Sequence, residues 1–244
     1  MIKKLAGTSK TGLFFSVPLV FIFMLTACIG AQKYLTSKKP SLLVCLGDSL
    51  MTGHGAVTPG ADSMEKSCPA LLQNKINIPV INAGVSGNTT AQGLSRVSSD
   101  VLSKNPGIII IGLGANDLLQ RIPLPATQDN LQKIINMVKS ENRKIYLVKF
   151  YTSAIAREML NMLHILCHDE QSELIRQYDY MFNSLAASNN AELIEDIWSG
   201  VWGIHMSDGI HPNEEGYKIM AENYFNALKP YLAANDLLKQ KENL

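Results

Sequence analysis

The run Ile108-Ile109-Ile110-Ile111 constrains the fold of this chain more than any other segment. Four consecutive β-branched apolar side chains favour a β-strand, and neither face of that strand is polar. A strand that is apolar on both faces is typical of the interior of a parallel sheet. Because both faces of such a sheet must be covered, we expect helices before and after this strand.

Strand and helix signals alternate along the chain from residue 41. Short apolar segments predict strands over residues 41–46, 79–82, 107–112, 144–149 and 191–194. Helical patterns lie between them, over residues 66–76, 89–104, 127–140, 154–188 and 214–229. Asn88-Thr89 and Asn213 are candidate N-caps for the second and last of these helices. The alternation predicts a parallel sheet with helices on both faces.

The first 27 residues have the pattern of an export signal. Lys3, Lys4 and Lys10 precede an apolar stretch over residues 13–25, which is shorter than the roughly 20 residues that span a bilayer. The motif Leu25-Thr26-Ala27-Cys28 resembles the cleavage site of bacterial lipoproteins, in which the cysteine becomes the acylated first residue. An uncleaved membrane anchor or a chance cysteine is the alternative interpretation.

These features predict four segments: a lipoprotein signal peptide over 1–27, a lipid-anchored tether over 28–40, a globular domain over 41–232 and a polar C-terminal tail over 233–244. Removal of the signal changes the formal net charge from +1 to −2, because the signal holds three lysines and no acidic residue. This balance argues against nucleic acid as a partner. Ile29, where an aspartate would favour the inner membrane, favours the outer membrane facing the periplasm.

Besides Cys28, the chain has three cysteines, Cys45, Cys68 and Cys167. Three cysteines allow one disulfide at most, so no disulfide framework is expected. Cys45 lies within the first predicted strand, where we expect a small core residue.

Four polar, glycine-containing loops follow predicted strands. They contain Ser49, Gly87, Asn116 and, in the last loop, Asp208 with His211. Carboxyl ends of parallel strands meet at one edge of a sheet, so these residues should lie close together. A serine nucleophile needs a base, a group that orients the base and donors for the oxyanion. The sequence therefore predicts a serine hydrolase site at this edge.

Three motifs carry a resemblance to a known family. They are Gly47-Asp48-Ser49-Leu50, the segment 82–89 (Asn-Ala-Gly-Val-Ser-Gly-Asn-Thr) and Asp208-Gly209-Ile210-His211-Pro212-Asn213. In order and spacing they resemble motifs of the SGNH hydrolases, or GDSL esterase/lipase family, particularly its bacterial thioesterase, lysophospholipase and arylesterase branch. The resemblance covers about residues 43–150 and 208–231 and implies a three-layer α/β/α, flavodoxin-like fold with a five-stranded parallel sheet.

The resemblance also implies a role for each matching residue. Ser49 would attack the acyl carbon, His211 would take the serine proton, and Asp208 would hold the imidazole. The backbone N–H groups of Ser49 and Gly87 and the side-chain amide of Asn116 would form the oxyanion hole. No cofactor and no metal are expected.

The expected activity is hydrolysis of carboxylic esters or thioesters, such as lysophospholipids, through an acyl-enzyme. The expected substrate is a small ester or lipid, and the protein is expected to be a membrane-anchored monomer. Two alternatives remain open. One is an O-acetylesterase that acts on cell-wall or exported glycans, and the other is a lipoprotein that uses the fold only for binding. The resemblance is poor over residues 151–207, and Ala115 stands where the family often has glycine.

Four further features permit more than one interpretation. Residues 155–166 form a large apolar stretch, which is either a lid over the acyl pocket or a helix packed on the sheet. His54 is interpreted as a residue of the pocket rim, and His205 either shapes the same rim or is structural. His164 and His168 have the spacing of a zinc pair beside Cys167, but no glutamate follows His164, so metal binding is not expected.

Overall fold

The computed structural model describes residues 39–150, 153–162 and 168–240. The predicted signal peptide, Cys28 and nearly all of the predicted tether lie outside the described residues. So do His164 and Cys167, and the side chain of His168 is not described either. No helix among the described residues is both long enough and apolar enough to span a membrane.

Five parallel strands form one sheet. They are β1 (Leu43–Gly47), β2 (Val80–Gly84), β3 (Ile108–Gly112), β4 (Lys144–Val148) and β5 (Glu192–Ile194). Their order in the sheet is β2-β1-β3-β4-β5, which is the flavodoxin-like order. All five predicted strands are confirmed, and Ile108–Ile111 are fully buried in the middle of the sheet. The predicted fold class is confirmed.

The helices fill the connections between strands. They are α1 (Ser49–Thr52), α2 (Cys68–Gln73), α3 (Thr90–Ser95), α4 (Val97–Asp100), α5 (Ala115–Leu119), α6 (Leu124–Val138), α7 (Ser153–Met162), α8 (His168–Asn189) and α9 (Glu214–Ala234). Helix α2 packs against α9, while α6 packs against both α3 and α8. Right-handed crossovers place these two groups on opposite faces of the sheet, which gives the three layers.

Both predicted N-caps belong to helices. The Thr89 side chain accepts from the backbone N–H of Gln92, and the Gln92 side chain accepts in return from the backbone of Thr89. The Asn213 side chain accepts from the backbone N–H of Gly216 at 2.9 Å. These side chains fix the starts of α3 and α9, and both helices follow loops that carry site residues.

The predicted single helix over 89–104 is instead three short segments, α3, α4 and a 3₁₀ turn over Leu102–Lys104. Its sequence is rich in serine and includes Gly93, which lowers helix propensity. The last helix continues through Pro230 to Ala234, beyond the predicted end at residue 229.

The compact unit extends past the predicted domain boundary at residue 232. It begins at Lys39, and the chain after α9 returns to the residues that follow α2. Leu237 is buried, and its carbonyl accepts from the N–H of Asn77 at 2.7 Å. Residues 235–240 therefore belong to the packed domain and not to the predicted polar tail over 233–244.

Three glycines lie in one row at the carboxyl edge of the sheet. Gly47 of β1 is in register with Gly84 of β2 and Gly112 of β3. The Met51 side chain of α1 lies across the row: a Cβ at Gly84 would be 2.7 Å from Met51 Cβ, and one at Gly112 would be 2.9 Å from Met51 Cε. A Cβ at Gly47 would also overlap Met51. The row lets α1 sit directly on the sheet backbone.

Cys45 and Cys68 are free, buried thiols, and burial holds the pKa of each well above its ordinary value. Cys45 is the core residue that its position in β1 predicts.

Candidate active site

Ser49 begins α1, directly after β1. The carboxyl group of Asp48 caps this short helix, because Asp48 Oδ1 accepts from the backbone N–H of Leu50 at 3.1 Å. Gly53 ends the helix in the left-handed conformation. A single helical turn on the glycine row thus places the Ser49 hydroxyl above the carboxyl ends of β1 and β3, where the strand order reverses.

His211 and Asp208 form a hydrogen-bonded line with Ser49. His211 Nε2 lies 2.9 Å from Ser49 Oγ, and His211 Nδ1 lies 2.9 Å from Asp208 Oδ2. Asp208 Oδ1 accepts from the backbone N–H groups of Ile210 and His211, at 2.8 and 2.7 Å. Burial raises the pKa of Asp208, but these hydrogen bonds outweigh it and leave the pKa below its ordinary value. The carboxylate therefore stays ionised opposite the imidazole.

Asn116 and Gly87 lie on the other side of Ser49. Asn116 is the second residue of α5. Its Nδ2 donates to Asp48 Oδ2 at 3.3 Å and to the carbonyl of Asn88 at 3.1 Å. Gly87 has a φ of +78°, which favours glycine, and a Cβ there would point into open space. Asn116 and Gly87 both line the cleft that contains Ser49.

Arg96, between α3 and α4, ties this region together. Its guanidinium donates to the carbonyl oxygens of Gly47 at 2.8 Å and Ala83 at 2.6 Å, at the ends of β1 and β2. It also donates to Asn88 Oδ1 at 2.8 Å and to Asp100 at 2.9 Å. Asn88, which accepts from Asn116, is therefore fixed to two strand ends through one side chain.

Asp117 anchors the start of α5 to α3 and α6. The carboxyl group is fully buried and accepts from the backbone N–H of Thr90 at 2.8 Å and the Thr90 hydroxyl at 2.5 Å. The Thr127 hydroxyl donates to the same carboxyl at 3.3 Å. These bonds satisfy a carboxyl group that would otherwise be costly to bury, and they fix the backbone next to Asn116.

Asp48 is the most strongly perturbed acid near Ser49. Complete burial raises the pKa of its carboxyl to about 7, and the nearby Asp117 contributes in the same direction. The backbone N–H of Leu50 and the charge of Arg96 oppose this effect only in part. Asp48 thus changes its protonation state near neutral pH, in direct contact with Asn116.

A second histidine–carboxylate pair stands beside His211. His54 Nδ1 lies 2.7 Å from Asp62 Oδ1, and the rings of His54 and His211 have centroids 4.5 Å apart. The Ser86 hydroxyl donates to the same Asp62 oxygen at 2.6 Å. His54 and Ser86 both line the cleft.

The cleft over Ser49 has a volume of about 620 Å³, including its open mouth. Its polar lining includes Ser49, His54, Ser86, Asn116 and His211. Its apolar lining includes Leu50, Leu119, Phe150, Trp198 and Ile210. An apolar cleft with a few convergent polar groups is typical of a small-molecule site.

Within the described part of the chain, one group of histidine and acidic side chains is close enough to suggest a metal site. It consists of His54, Asp208 and His211, whose ligand atoms lie within 4.8 Å of one another. Two of the three are already bonded to each other, and His211 is also bonded to Ser49. The group therefore belongs to the serine–histidine arrangement.

Comparison with known proteins identifies the family of this chain. A family model described as GDSL-like lipase/acylhydrolase matches residues 45–219, which include Ser49, Gly87, Asn116, Asp208 and His211. The chain belongs to this family. GDSL-like acylhydrolases hydrolyse ester bonds, so the protein is an ester-hydrolysing enzyme, and the predicted enzyme class is confirmed.

Named relatives of the GDSL-like family match over most of their length. Esterase TesA of Pseudomonas aeruginosa is 25% identical over 217 residues, which is 86% of this chain and 98% of that protein. An arylesterase of Vibrio mimicus is 27% identical over 205 residues, or 80% of this chain and 90% of that protein. A crystal structure of TesA superposes with a TM-score of 0.63 at 25% identity, covering 78% of this chain and 99% of that one.

The structure of this GDSL-like protein brings together most of the residues singled out in the sequence. Ser49, Gly87, Asn116 and His211 line one cleft, and Asp208 bonds His211. His54 lines the cleft, whereas His205 is not among its lining residues. The described part of α7 contributes no lining residue; the exposed Met162 packs against Gly209 instead, and the lid stays a prediction.

Three residues that hold this GDSL-like site together, Asp48, Arg96 and Asp62, were not predicted from the sequence. Asp48 adjoins Ser49, and the proximity alone could have drawn attention to it. Arg96 lies in a predicted helix with many polar residues, where an arginine side chain is expected to be exposed to solvent. Asp62 lies in the long loop after α1, where no periodic pattern marks a partner for His54.

Proposed function

We propose that Ser49 is the nucleophile of an esterase that acts on aliphatic carboxylic esters or thioesters through an acyl-enzyme. The observation that supports it is the hydrogen-bonded line from Ser49 Oγ through His211 to Asp208, with both distances at 2.9 Å. His211 takes the serine proton as the acyl carbon is attacked. It then returns the proton to the leaving alcohol or thiol.

Asp208 orients His211 and balances its transient charge. The backbone N–H groups on Asp208 Oδ1 keep the carboxylate ionised and in place, so Oδ2 remains directed at Nδ1 of His211. An ionised acid in this position holds the imidazole in the tautomer that accepts at Nε2. Water, activated by the same imidazole, then releases the acyl group from Ser49.

The oxyanion is stabilised by the backbone N–H groups of Ser49 and Gly87 and by the Asn116 amide. Asn116 releases its longer bond, the one of 3.3 Å to Asp48, and keeps the bond to the carbonyl of Asn88. The loss of one such donor typically costs about 2.7–4 kcal/mol of transition-state stabilisation.

An aliphatic acyl group suits the apolar lining formed by Leu119, Phe150 and Trp198. A relative from Escherichia coli named thioesterase 1/protease 1/lysophospholipase L1 is 26% identical over 216 residues, which extends the proposal to thioesters. The second candidate is an acetylesterase, because an acetylxylan esterase of Geobacillus stearothermophilus is 22% identical over 165 residues.

The experiment is hydrolysis of p-nitrophenyl esters from acetyl to palmitoyl by the full-length protein and by Ser49→Ala. We expect Ser49→Ala to lower kcat at least about a thousandfold, since the nucleophile is lost. Ser103→Ala, which changes an exposed serine outside the cleft, is the matched control and should remain active. Full activity of folded Ser49→Ala would contradict the proposal, and a sharp preference for acetyl would favour the acetylesterase.

We further propose that Cys28 carries a lipid and holds a monomeric enzyme at the outer membrane, facing the periplasm. The lipoprotein-like motif Leu25-Thr26-Ala27-Cys28 supports this location. In a bacterial host, the wild type should incorporate a labelled fatty acid and sediment with outer membranes, whereas Cys28→Ala should incorporate none. Equal labelling of the two proteins would exclude Cys28 as the acylated residue.

A further inference from the structure

His54 is held in one orientation by a carboxylate of its own. Asp62 Oδ1 lies 2.7 Å from His54 Nδ1 and also accepts from Ser86 at 2.6 Å, while Ser86 lies 2.8 Å from the Thr52 hydroxyl. Burial raises the pKa of Asp62, but the bonds from Ser86, His54 and Thr52 outweigh it and hold the pKa below its ordinary value. An ionised Asp62 can only accept, so the hydrogen bond places an N–H of His54 at Nδ1.

The backbone under His54 is fixed as well. The Tyr217 hydroxyl donates to the carbonyl of His54 at 2.9 Å, and Tyr217 is fully buried in α9. With Nδ1 bonded to Asp62, the other ring nitrogen, Nε2, is the atom available to a molecule in the cleft that His54 lines. His54 is therefore a hydrogen-bonding group held in a fixed orientation, and the proposed reaction of Ser49, His211 and Asp208 does not use it.

The sheet order separates this polar group from three of the five large apolar lining residues, while Leu50 and Ile210 are chain neighbours of Ser49 and His211. His54 and Ser86 follow β1 and β2, at one end of the order β2-β1-β3-β4-β5. Leu119, Phe150 and Trp198 follow β3, β4 and β5 at the other end. Ser49 follows β1 and lies between the two groups. An ester with its carbonyl at Ser49 therefore has its acyl chain and its leaving group on chemically different sides.

The charges near the polar side favour a neutral leaving group. Among the described residues that line the cleft, none is a lysine or an arginine. The acidic groups near this side are the carboxylates of Asp62, which bonds His54, and Asp208, which bonds His211, and Asp48 lines the cleft itself. A phosphate would face these carboxylates without a compensating cation, whereas hydroxyl groups can donate to and accept from imidazole and serine side chains.

We propose that His54 and Ser86 form a subsite for the free hydroxyl groups of a neutral polyol leaving group, such as glycerol or a sugar. This inference rests on the proposed function and names the leaving-group side of its substrate. The acyl C–O bond breaks as proposed, His211 delivers the proton to the leaving oxygen, and His54 binds the remaining hydroxyl groups without being consumed. Substrates are then monoacyl esters of polyols, with the acyl chain on the apolar side.

The test compares butyryl esters that are soluble and share one acyl group. They are 1-butyrylglycerol, 6-O-butyrylglucose, 1-butyrylglycerol 3-phosphate and ethyl butyrate. For the full-length wild type we expect kcat/KM on a polyol ester to exceed that on ethyl butyrate and on the phosphate ester. Comparison of kcat/KM for 1-butyrylglycerol and 6-O-butyrylglucose shows which polyol is preferred.

The decisive readout is a ratio, kcat/KM for the better polyol ester divided by kcat/KM for ethyl butyrate. His54→Phe should lower this ratio about tenfold, the worth of one net hydrogen bond of about 1.4 kcal/mol. His54→Gln, which keeps an N–H donor, should retain part of it, and Asp62→Asn should lower it. His205→Phe is the matched control, because His205 is a half-buried histidine that does not line the cleft. Partial unfolding leaves the ratio unchanged, so the readout is insensitive to it.

Two results overturn the inference alone. One is a wild type without preference for polyol esters, and the other is a His54→Phe variant whose activity falls equally on polyol and ethyl esters. A wild type that hydrolyses none of the four esters and none of the p-nitrophenyl esters instead overturns the proposed function, and the inference falls with it.

Discussion

At the scale of single residues, Asp48 has two connections that matter for the site. One oxygen caps the helix that begins with Ser49, and the other accepts from Asn116. A carboxyl group in this position fixes the proposed nucleophile and a proposed oxyanion donor relative to each other. Its complete burial, which raises its pKa to about 7, is the cost of that arrangement.

Asp48→Asn should make the protein relatively more stable as the pH rises. In the unfolded chain the pKa of Asp48 returns to about 3.9, whereas the folded value is about 7. The folded state thus binds the proton more tightly, and its stability from this group is full below about pH 4 and lost as the pH rises through about 7. Asparagine does not titrate, so the free energy of unfolding of Asp48→Asn minus that of wild type should increase over this range, by at most about 4 kcal/mol.

Urea denaturation of both proteins at about pH 4 and about pH 8 measures this difference. Asparagine keeps the size of Asp48 and an acceptor for the N–H of Leu50, so the fold should persist. A difference between the proteins that does not change with pH would show that Asp48 titrates normally in the folded state.

At the scale of secondary-structure elements, Arg96 joins the ends of β1 and β2 to the loop that supports Asn116. Four of the five N–H donors of one planar guanidinium serve acceptors on Gly47, Ala83, Asn88 and Asp100. A lysine ammonium is a single point and cannot reproduce this fork. The break between α3 and α4 places this side chain at the strand ends.

Arg96→Lys should lower kcat about tenfold with little change in KM, because the carbonyl of Asn88 no longer positions the Asn116 amide. Loss of donors to two strand-end carbonyls should also destabilise the protein by about 1–3 kcal/mol. Ester kinetics and urea denaturation give both numbers. An unchanged kcat in a destabilised variant would show that Arg96 supports the fold but does not position the Asn116 amide.

Arg143→Lys is the matched control for Arg96→Lys. Arg143 also donates to two backbone carbonyls, those of Pro106 at 2.9 Å and Val138 at 2.7 Å. It precedes β4 and therefore lies at the amino edge of the sheet, opposite the cleft. Arg143→Lys should lose stability comparably while its kcat remains near the wild-type value.

At the scale of the whole molecule, the layers and the edge that carries the site are predictable from the sequence. Apolar runs such as Ile108–Ile111 mark the strands, and a polar loop after a strand marks the carboxyl edge. The pattern of apolar and polar residues does not show which groups in irregular segments pair across long distances in the chain. His54 with Asp62, Arg96 with the carbonyl of Gly47, and Leu237 with Asn77 are set by tertiary packing, which leaves no periodic signal.

Short helices were missed for a related reason. Helices α1 and α5 have four and five residues, too few to show a 3.6-residue period. Each begins within three residues of a strand end, one at Ser49 and the other at Ala115, just before Asn116. Helices α1 and α5 carry the proposed nucleophile and oxyanion donor. They are thus the elements that hydrophobic periodicity predicts least well.

The glycine row under Met51 has a consequence for how this enzyme can vary. Gly47, Gly84 and Gly112 come from three separate strands, yet one thioether side chain occupies the space above all of them. An added Cβ at Gly47 would overlap Met51 Cγ and one at Gly84 would lie 2.7 Å from Met51 Cβ, whereas at Gly112 it meets only the flexible end of that side chain, Cε, at 2.9 Å. A mutant library for this enzyme should therefore keep Gly47 and Gly84 and vary Gly112 together with Met51.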